Sequence, residues 1–203
     1  MKRLMLILVA VAFSGAMMAQ PDVTSAYNAN KSGDYAKAAE YIEKAIKIPK
    51  GAGKEKTWRY RGMIYLNISL APELQDAHPE SLEKSFDSFK KSLEIEPDGG
   101  YSQDVKGFIV QVQTVAMDAG ITKFTDEDYV VAAGKFSLSK DISAYFDIVD
   151  TLAIWNTALC YDKAGDWKRA VEGYRTCADM GYQEPNVHLF IANLQQENDD
   201  IDG

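Results

Sequence analysis

The sequence predicts an all-α fold built from helix pairs that stack into a solenoid. One pattern of Gly, Asp, an aromatic residue, Ala and a large apolar residue occurs as SGDYAKAAEYI at residues 32–42 and as AGDWKRAVEGY at 164–174. Apolar residues in both copies follow the three- and four-residue spacing of one helix face. A unit of this size cannot bury its apolar face alone, so a recurring unit indicates stacking.

The first nineteen residues are typical of a secretory signal peptide. Lys2 and Arg3 precede an uncharged apolar stretch from Leu4 to Ala19, which is shorter than a comfortable membrane span. Small residues permit cleavage after Ala16 or Ala19. We expect Ala19, because an Ala-Gln ending resembles those of exported proteins from one group of Gram-negative bacteria. No Cys lies near the junction, so a lipoprotein anchor is not expected.

Each residue of the recurring pattern has a role in a helix–turn–helix unit. Gly ends the first helix because it adopts a positive φ without steric cost, and Asp then caps the second helix. The aromatic residue starts an apolar stripe, and Ala allows two backbones to approach closely. The pattern residues are Gly33, Asp34, Tyr35, Ala38 and Ile42 in the first copy, and Gly165, Asp166, Trp167, Ala170 and Tyr174 in the last.

Less regular copies lie between these two. Residues 126–136 carry the Asp, aromatic, Ala and large apolar residues at the same spacing as the other copies. The aspartate ends an acidic cluster, Asp126 to Asp128, which is interpreted as a helix cap. Residues 80–97 form another second helix, with Ser85 and Ser92 at the positions of small Ala-like residues. Two further segments depart from the repeat: residues 69–80 contain two prolines, which exclude one continuous helix, and residues 101–124 exceed one repeat helix.

The C-terminal residues predict an incomplete unit. A first helix over 187–197 is followed by a turn near Asp199, and the printed chain stops before a second helix. Leu189, Phe190 and Leu194 would then be partly uncovered. We expect either a fragment of a longer protein or a partner that covers this end, and we favour the fragment.

These residues resemble the tetratricopeptide repeat, a helix–turn–helix unit of about 34 residues. Besides the Gly-Asp-aromatic motif, the resemblance rests on Trp58, Gly62 and Tyr65, with Pro97 closing their unit. It covers nearly all of residues 20–203, as one domain of about four and a half repeats. It implies a right-handed solenoid that acts by binding, and the predicted leader makes this an exported protein of the bacterial envelope.

In this family the first helix of each pair lines a concave groove, and its exposed positions carry specificity. Motif alignment transfers those positions to this chain as candidate partner-binding residues: Tyr27, Asn30, Lys31, Arg59, Met63, Leu66, Asn67, Met117, Ile121, Phe124, Thr125, Trp155, Leu159, Asp162 and Lys163. Arg, Tyr, Trp and Met are enriched at interface centres. The alternative for each residue is packing against a neighbouring helix, which is the interpretation adopted for the repeat aromatics Trp58, Tyr65, Trp167 and Tyr174.

Charge and cysteine content restrict the partners further. The 203 residues carry a formal net charge of −8, which argues against nucleic-acid and anionic-membrane partners. Removal of Lys2 and Arg3 with the leader would take this to −10. Cys160 and Cys177 are predicted to be buried free thiols. Their positions in a helical hairpin put them on the order of 10 Å apart, whereas a disulfide needs Cα atoms within about 7 Å.

No catalytic, cofactor or metal site is predicted. His78 and His188 have no ligand residues at metal-site spacing, and residues 198–203 match only the first half of a calcium loop. No Gly-rich phosphate loop, nucleophile elbow or Cys/His pair occurs. The chain is therefore expected not to be an enzyme.

The sequence thus favours a non-enzymatic scaffold or adaptor in the bacterial envelope, periplasmic or secreted, that binds a peptide or helix of another envelope protein. One alternative is a glycan-binding accessory of outer-membrane nutrient uptake, although the missing lipoprotein Cys counts against it. Another is the repeat region of a longer protein with an enzymatic domain downstream. These inferences rest on fold and compartment.

Overall fold

The computed structural model describes residues 19–182 and 186–198, and no β-strand occurs in this part of the chain. The all-α prediction is confirmed. The helices are α1 (Ala19–Lys31), α2 (Tyr35–Ile46), α3 (Pro49–Ala52), α4 (Glu55–Ser69), α5 (Pro72–Gln75), α6 (Ser81–Ile95), α7 (Ser102–Thr125), α8 (Tyr129–Tyr145), α9 (Thr151–Lys163), α10 (Trp167–Asp179) and α11 (Asn186–Glu197). Most of the predicted leader and the acidic residues 199–203 lie outside the described residues.

The chain divides into two compact units, Met1–Ile109 and Val110–Gly203, although the sequence predicts one repeat domain. The boundary falls within the 24-residue helix α7, which confirms that this helix is longer than a repeat requires. The proline segment also departs from the repeat as predicted. It is divided between the short helix α5, which begins at Pro72, and a turn that contains Pro79.

The core of the first unit lies among α1, α2 and α4. Ala26 of α1, Ala38 and Ile42 of α2, and Ile64 and Ile68 of α4 are fully buried in one cluster. Small residues on α1 and α2 face branched residues on α4, so the three helices pack closely. The predicted roles of Ala38 and Ile42 are confirmed.

The second unit has two core clusters. In one, Ala132 and Phe136 of α8 pack with Cys160 of α9. In the other, Ala170 and Tyr174 of α10 pack with residues of α9 and α11. Helix α9 contributes to both clusters, because its first-helix position places it between two second helices.

The glycine turns of the two Gly-Asp-aromatic copies close the preceding helix with the same pair of backbone hydrogen bonds. Gly33 has a φ of 82° and its N–H donates to the carbonyl of Asn30 at 3.2 Å. The next N–H, of Asp34, donates to the carbonyl of Ala29 at 2.9 Å. Gly165, with a φ of 78°, is followed by the same two bonds. This is a Schellman ending, and the helix end with positive φ predicted for each glycine is confirmed.

The cap that follows the turn is confirmed in two copies and wrong in one. Asp34 and Asp166 each accept a hydrogen bond from the backbone N–H three residues later, at 3.2 Å. Asp128 makes no side-chain cap bond. In that copy Glu127 takes the glycine position with a φ of 61°. The third turn thus keeps the backbone closure but lacks the side-chain cap that the sequence predicts.

Small residues at the contact between α4 and α6 have the packing role that the pattern predicts. A Cβ added at Gly62 would lie 2.5 Å from the ring of Phe89, so this position accepts only hydrogen. Ser85 is fully buried, and its hydroxyl donates to the carbonyl of Gly62 at 2.9 Å. The serine therefore fills the place of an alanine and satisfies its own polar group.

Cys160 and Cys177 are both buried and both free. Burial raises the pKa of the Cys160 thiol to about 11 and raises the pKa of Cys177 in the same direction. Both sulfurs are therefore protonated at neutral pH and act as small apolar groups of the core.

A matched pair of glycine substitutions tests the turn. Gly165→Ala should lower the free energy of unfolding by about 1–2 kcal/mol, because an L-residue is strained at positive φ. Nothing lies within 4 Å of the added Cβ, so this effect is one of backbone conformation. Gly134 lies on an exposed helical position of α8 with equal space. Gly134→Ala should raise stability by up to about 1 kcal/mol. Equal effects in urea denaturation would contradict this account.

Candidate functional site

Four side chains of α1 and α4 form paired contacts on one surface of the first unit. The rings of Tyr27 and Tyr60 stack with centroids 4.9 Å apart. The side-chain amide of Asn67 donates to the Oδ1 of Asn30 at 2.9 Å. Tyr27 is 38% exposed. We call these four residues, together with the half-buried Met63, the α1–α4 surface.

The α1–α4 surface brings together most of the candidate residues from the first two helix pairs. Tyr27, Asn30, Met63 and Asn67 all belong to it, and Lys31 is exposed at the end of α1. The alignment to the repeat motif identified Arg59 and Met63 on α4 but missed Tyr60, which lies between them. Its signal in the sequence is only its spacing, one helical turn before Met63 and two before Asn67.

Arg59 is less exposed than the sequence predicts. It is 8% exposed, and its Nε donates to Glu55 at 2.8 Å. The guanidinium lies 3.8 Å from the ring centroid of Tyr101 and 5.0 Å from that of Tyr60. Because its charge is paired and its planar group is covered by rings, Arg59 fixes the position of Tyr60 rather than presenting a free cation.

Leu66 does not face solvent. It is 3% exposed, so the expectation that it lies on an exposed groove position is wrong. Nine of the fifteen residues of α4 are buried, because α4 packs against helices on more than one side. A residue at this position would be exposed to solvent on a helix with one neighbouring helix, but on α4 a second neighbour buries it.

A buried polar network supports α4 from below the α1–α4 surface. The Nε of Arg61 donates to Glu43 of α2 at 2.7 Å, and its Nη1 donates to Ser88 of α6 at 2.7 Å. The hydroxyl of Tyr65 donates to the same Glu43 oxygen at 2.9 Å. Burial, together with the nearby negative charge of Glu43, raises the pKa of Tyr65 to about 12. The network joins three helices, so the orientation of α4 is fixed.

The candidates on α7 divide between core and surface. Met117 and Phe124 are half-buried against the cluster of Ala132, Phe136 and Cys160. The alternative of packing against neighbouring helices therefore describes both. Ile121 is 53% exposed, and Thr125 is exposed with its hydroxyl donating to the carbonyl of Ile121 at 3.0 Å.

Trp155 on α9 is a packing residue. Its ring lies 5.1 Å from that of Tyr174, 6.0 Å from that of Tyr182 and 5.7 Å from that of Phe190, measured between centroids. Trp155 is half-buried among these three rings, so the alternative of packing against neighbouring helices describes it.

The other α9 candidates are also divided between packing and exposure. Asp162 accepts a hydrogen bond from the hydroxyl of the buried Tyr174 at 3.1 Å, so its carboxylate is already engaged. Leu159 is half-buried, and Lys163 is exposed. The candidates of the second unit therefore form no paired contacts like those of the α1–α4 surface.

The repeat aromatics pack as predicted, to different extents. Tyr65 and Tyr174 are buried. Trp58 is only half-buried, and its Nε1 donates to the carbonyl of Ala52 at 2.7 Å. Trp167 is also half-buried. Both tryptophans keep one edge at the surface.

The described ranges contain no group of three or more His, Cys, Asp and Glu residues that could hold a metal ion. Across the same two stretches of chain, the helices lack the combined length and apolar character required to cross a bilayer. The α1–α4 surface, which holds aromatic and amide groups in fixed pairs, is thus the candidate site.

Comparison with known proteins gives similarity in structure alone. No family model and no curated protein matches the chain. Similar solved structures include MamA of AMB-1, at 15% identity and a TM-score of 0.37, covering 92% of this chain and 89% of that one. MamA from Desulfovibrio magneticus RS-1, from residue 41 to its end, matches at 14% identity and 0.34, covering 91% and 88%. The TPR2AB domain of yeast Sti1, in a complex with pHSP90, matches at 14% and 0.35, covering 90% and 85%. At these values the assignment of helical repeats rests on the turns and contacts described above.

The raised pKa of Tyr65 predicts a dependence of stability on alkaline pH. The folded-state pKa of about 12 exceeds the ordinary value of 10.0, so the neutral phenol stabilises the fold fully below pH 10. This contribution is lost as the pH rises from 10 towards 12. In Tyr65→Phe, the free energy of unfolding should therefore fall about 1–2 kcal/mol less over this interval. Tyr145→Phe, at an exposed tyrosine, should keep the wild-type slope, and equal slopes in all three proteins would contradict the assignment.

A second pair of variants tests the position of Trp155. Trp155→Ala should cost about 3 kcal/mol of unfolding free energy, because it removes a ring from an aromatic cluster. Lys163→Ala, at an exposed residue of the same helix, should change stability by less than about 0.5 kcal/mol. Urea denaturation followed by circular dichroism measures both. A loss below about 1 kcal/mol for Trp155→Ala would return this residue to the list of candidate binding positions.

Proposed function

We propose that this protein is a non-enzymatic interaction scaffold of the bacterial envelope and that its α1–α4 surface binds a peptide segment or helix of another protein. The observation that carries the proposal is the pairing of Tyr27 with Tyr60 and of Asn30 with Asn67 across two helices. These contacts hold aromatic and amide groups at fixed spacing before any partner arrives.

The chemistry of this surface suits a polypeptide. Tyrosine provides a large apolar contact area with a polar tip, and such residues dominate interface energetics. Asn30 and Asn67 use one donor and one acceptor in their mutual bond, which leaves other amide donor and acceptor positions for the backbone of a partner. A surface with both features can bind side chains and main chain together.

Rigidity favours binding at the same surface. Arg59 fixes the ring of Tyr60, and the network around Glu43 fixes α4 against α2 and α6. Side chains that are already ordered lose less conformational entropy when a partner binds. The α1–α4 surface is therefore preorganised, whereas the candidates of the second unit are mainly engaged in packing.

Envelope location forms the second half of the proposal, and it is supported by the charge and apolar pattern of residues 1–19. Cell fractionation with N-terminal sequencing tests it. The expected result is an envelope-located chain that begins at Gln20. An intact N-terminus in the cytoplasmic fraction would overturn this half of the proposal alone.

Peptide selection tests the binding surface. Peptides are selected from a random display library on the immobilised full chain, and their affinities are measured for variants by fluorescence titration. Tyr27→Ala and Asn67→Ala should each weaken binding by about tenfold or more. Ile121→Ala, at an exposed candidate of the second unit, should leave the affinity unchanged.

Two outcomes would contradict the proposed surface. One is unchanged affinity in both α1–α4 variants while their melting temperatures match that of the wild type. The other is selection of no peptide but binding of oligosaccharides on a glycan array, which would favour the glycan-binding alternative.

A further inference from the structure

A basic segment precedes α4 in a chain of acidic character. Residues 47–56 contain Lys47, Lys50, Lys54 and Lys56, but only one acidic residue, Glu55, whereas the whole chain has a formal net charge of −8. The excess of positive charge is therefore local. It differs from the overall composition, which by itself argues against anionic ligands.

Three of these lysines line a cleft at the start of α4. Its volume is about 60 Å³, and its lining includes Thr24 of α1, Lys50 and Gly51 of α3, and Lys54, Lys56 and Thr57 of the next turn. The lysines are exposed, so their ammonium groups can reach an ion in the cleft. The cleft has room for a few water molecules or one small polyatomic ion.

The start of α4 lacks the groups that usually satisfy a helix N-terminus. Lys54 occupies the cap position, and no side chain caps the helix. Lysines at this end oppose the helix dipole. The carboxylate of Glu55 accepts from Arg59 at 2.8 Å and from Ser92 at 3.0 Å, so it is engaged elsewhere. An anion in the cleft would interact favourably with both the dipole and the lysines.

Thr57 gives an independent indication of a ligand. Its residue is fully buried, and its Oγ1 has no hydrogen-bond partner in the portion of the chain that the structure describes. Buried hydroxyl groups in folded proteins are normally hydrogen-bonded to protein or to a bound molecule. Because Thr57 also lines the cleft, a bound oxyanion would supply the missing acceptor.

We propose that this cleft binds a small tetrahedral oxyanion, phosphate or sulfate, held by Lys50, Lys54 and Lys56, the first two backbone amides of α4 and the hydroxyl of Thr57. The volume fits an ion of this size better than a nucleotide. The segment also lacks the Gly-x-x-x-x-Gly-Lys-Ser/Thr spacing of a nucleotide-binding loop. The ion would join α1, α3 and α4, and would therefore stabilise the folded first unit.

Calorimetric titration of the full chain with inorganic phosphate, and separately with sulfate, tests the proposal against sodium chloride at equal ionic strength. The expected result is saturable binding of at least one oxyanion, with a higher melting temperature than in chloride. Thr57→Val keeps the shape of the side chain and removes the hydroxyl, and Lys54→Gln removes one charge. Each should weaken binding by about tenfold.

Lys106→Gln, at an exposed lysine of α7 in the same unit, is the matched control and should bind as the wild type does. In chloride, Thr57→Val should melt at the wild-type temperature or higher, because it loses only an unpaired hydroxyl. The variant therefore separates ligand binding from folding. Unchanged affinity in both Thr57→Val and Lys54→Gln would overturn the proposal, as would equal melting temperatures of the wild type in phosphate, sulfate and chloride.

The source of the phosphate is resolved by flotation with phosphatidylglycerol vesicles. If the ligand is a free ion, the chain should not bind vesicles at the salt concentration at which it binds phosphate. Flotation that Lys54→Gln abolishes, without binding of the free ion, would overturn the proposal in favour of a lipid headgroup.

Discussion

Five of the helix reversals depend on a residue with positive φ, after α1, α7, α8, α9 and α10. Within the described residues, Gly33, Glu127, Asp147, Gly165 and Gly181 occupy this conformation. Each is followed by an N–H that bonds to a carbonyl five residues earlier, so all five turns share one backbone closure. The closure provides hydrogen bonds for two carbonyls at the helix end. It leaves too few residues for a loop, so the next helix runs back along the previous one. Glycine makes this conformation inexpensive, but two acidic residues also adopt it.

The paired helices determine which surfaces remain available for binding. An inner helix has neighbours on several sides, and α4 consequently buries most of its residues. Its free face is narrow and contains Tyr60, Met63 and Asn67, which meet α1 through Tyr27 and Asn30. Charged groups that would otherwise be costly inside are paired across helices, as in the contact of Arg61 with Glu43. The same packing therefore produces both the stability and the small preorganised surface.

The parts that the sequence predicted well are those decided locally. Positive φ at Gly33 and Gly165, the caps at Asp34 and Asp166, and the burial of Ser85 depend on residues a few positions apart or on one facing helix. Positions on the binding face depend on a third helix that the motif does not contain. Leu66 is covered as part of the inner helix α4, and Trp155 is half-buried against rings of α10 and α11. Tyr60 and Tyr101 belong to no motif position, so only the structure reveals their contacts with Arg59.

Three of the described helices begin with an aspartate cap, and α4 is among those that do not. Asp34, Asp150 and Asp166 each accept a hydrogen bond from the first turn of the helix they precede. Lys54 stands in the corresponding place before α4 and cannot accept one. The uncapped helix start and the lysines attract negative charge, and the hydroxyl of Thr57 needs a hydrogen-bond acceptor. A bound anion would satisfy all three groups. A helix N-terminus favours a negative group, which aspartate supplies at α2, α9 and α10 and which the proposed oxyanion would supply at α4.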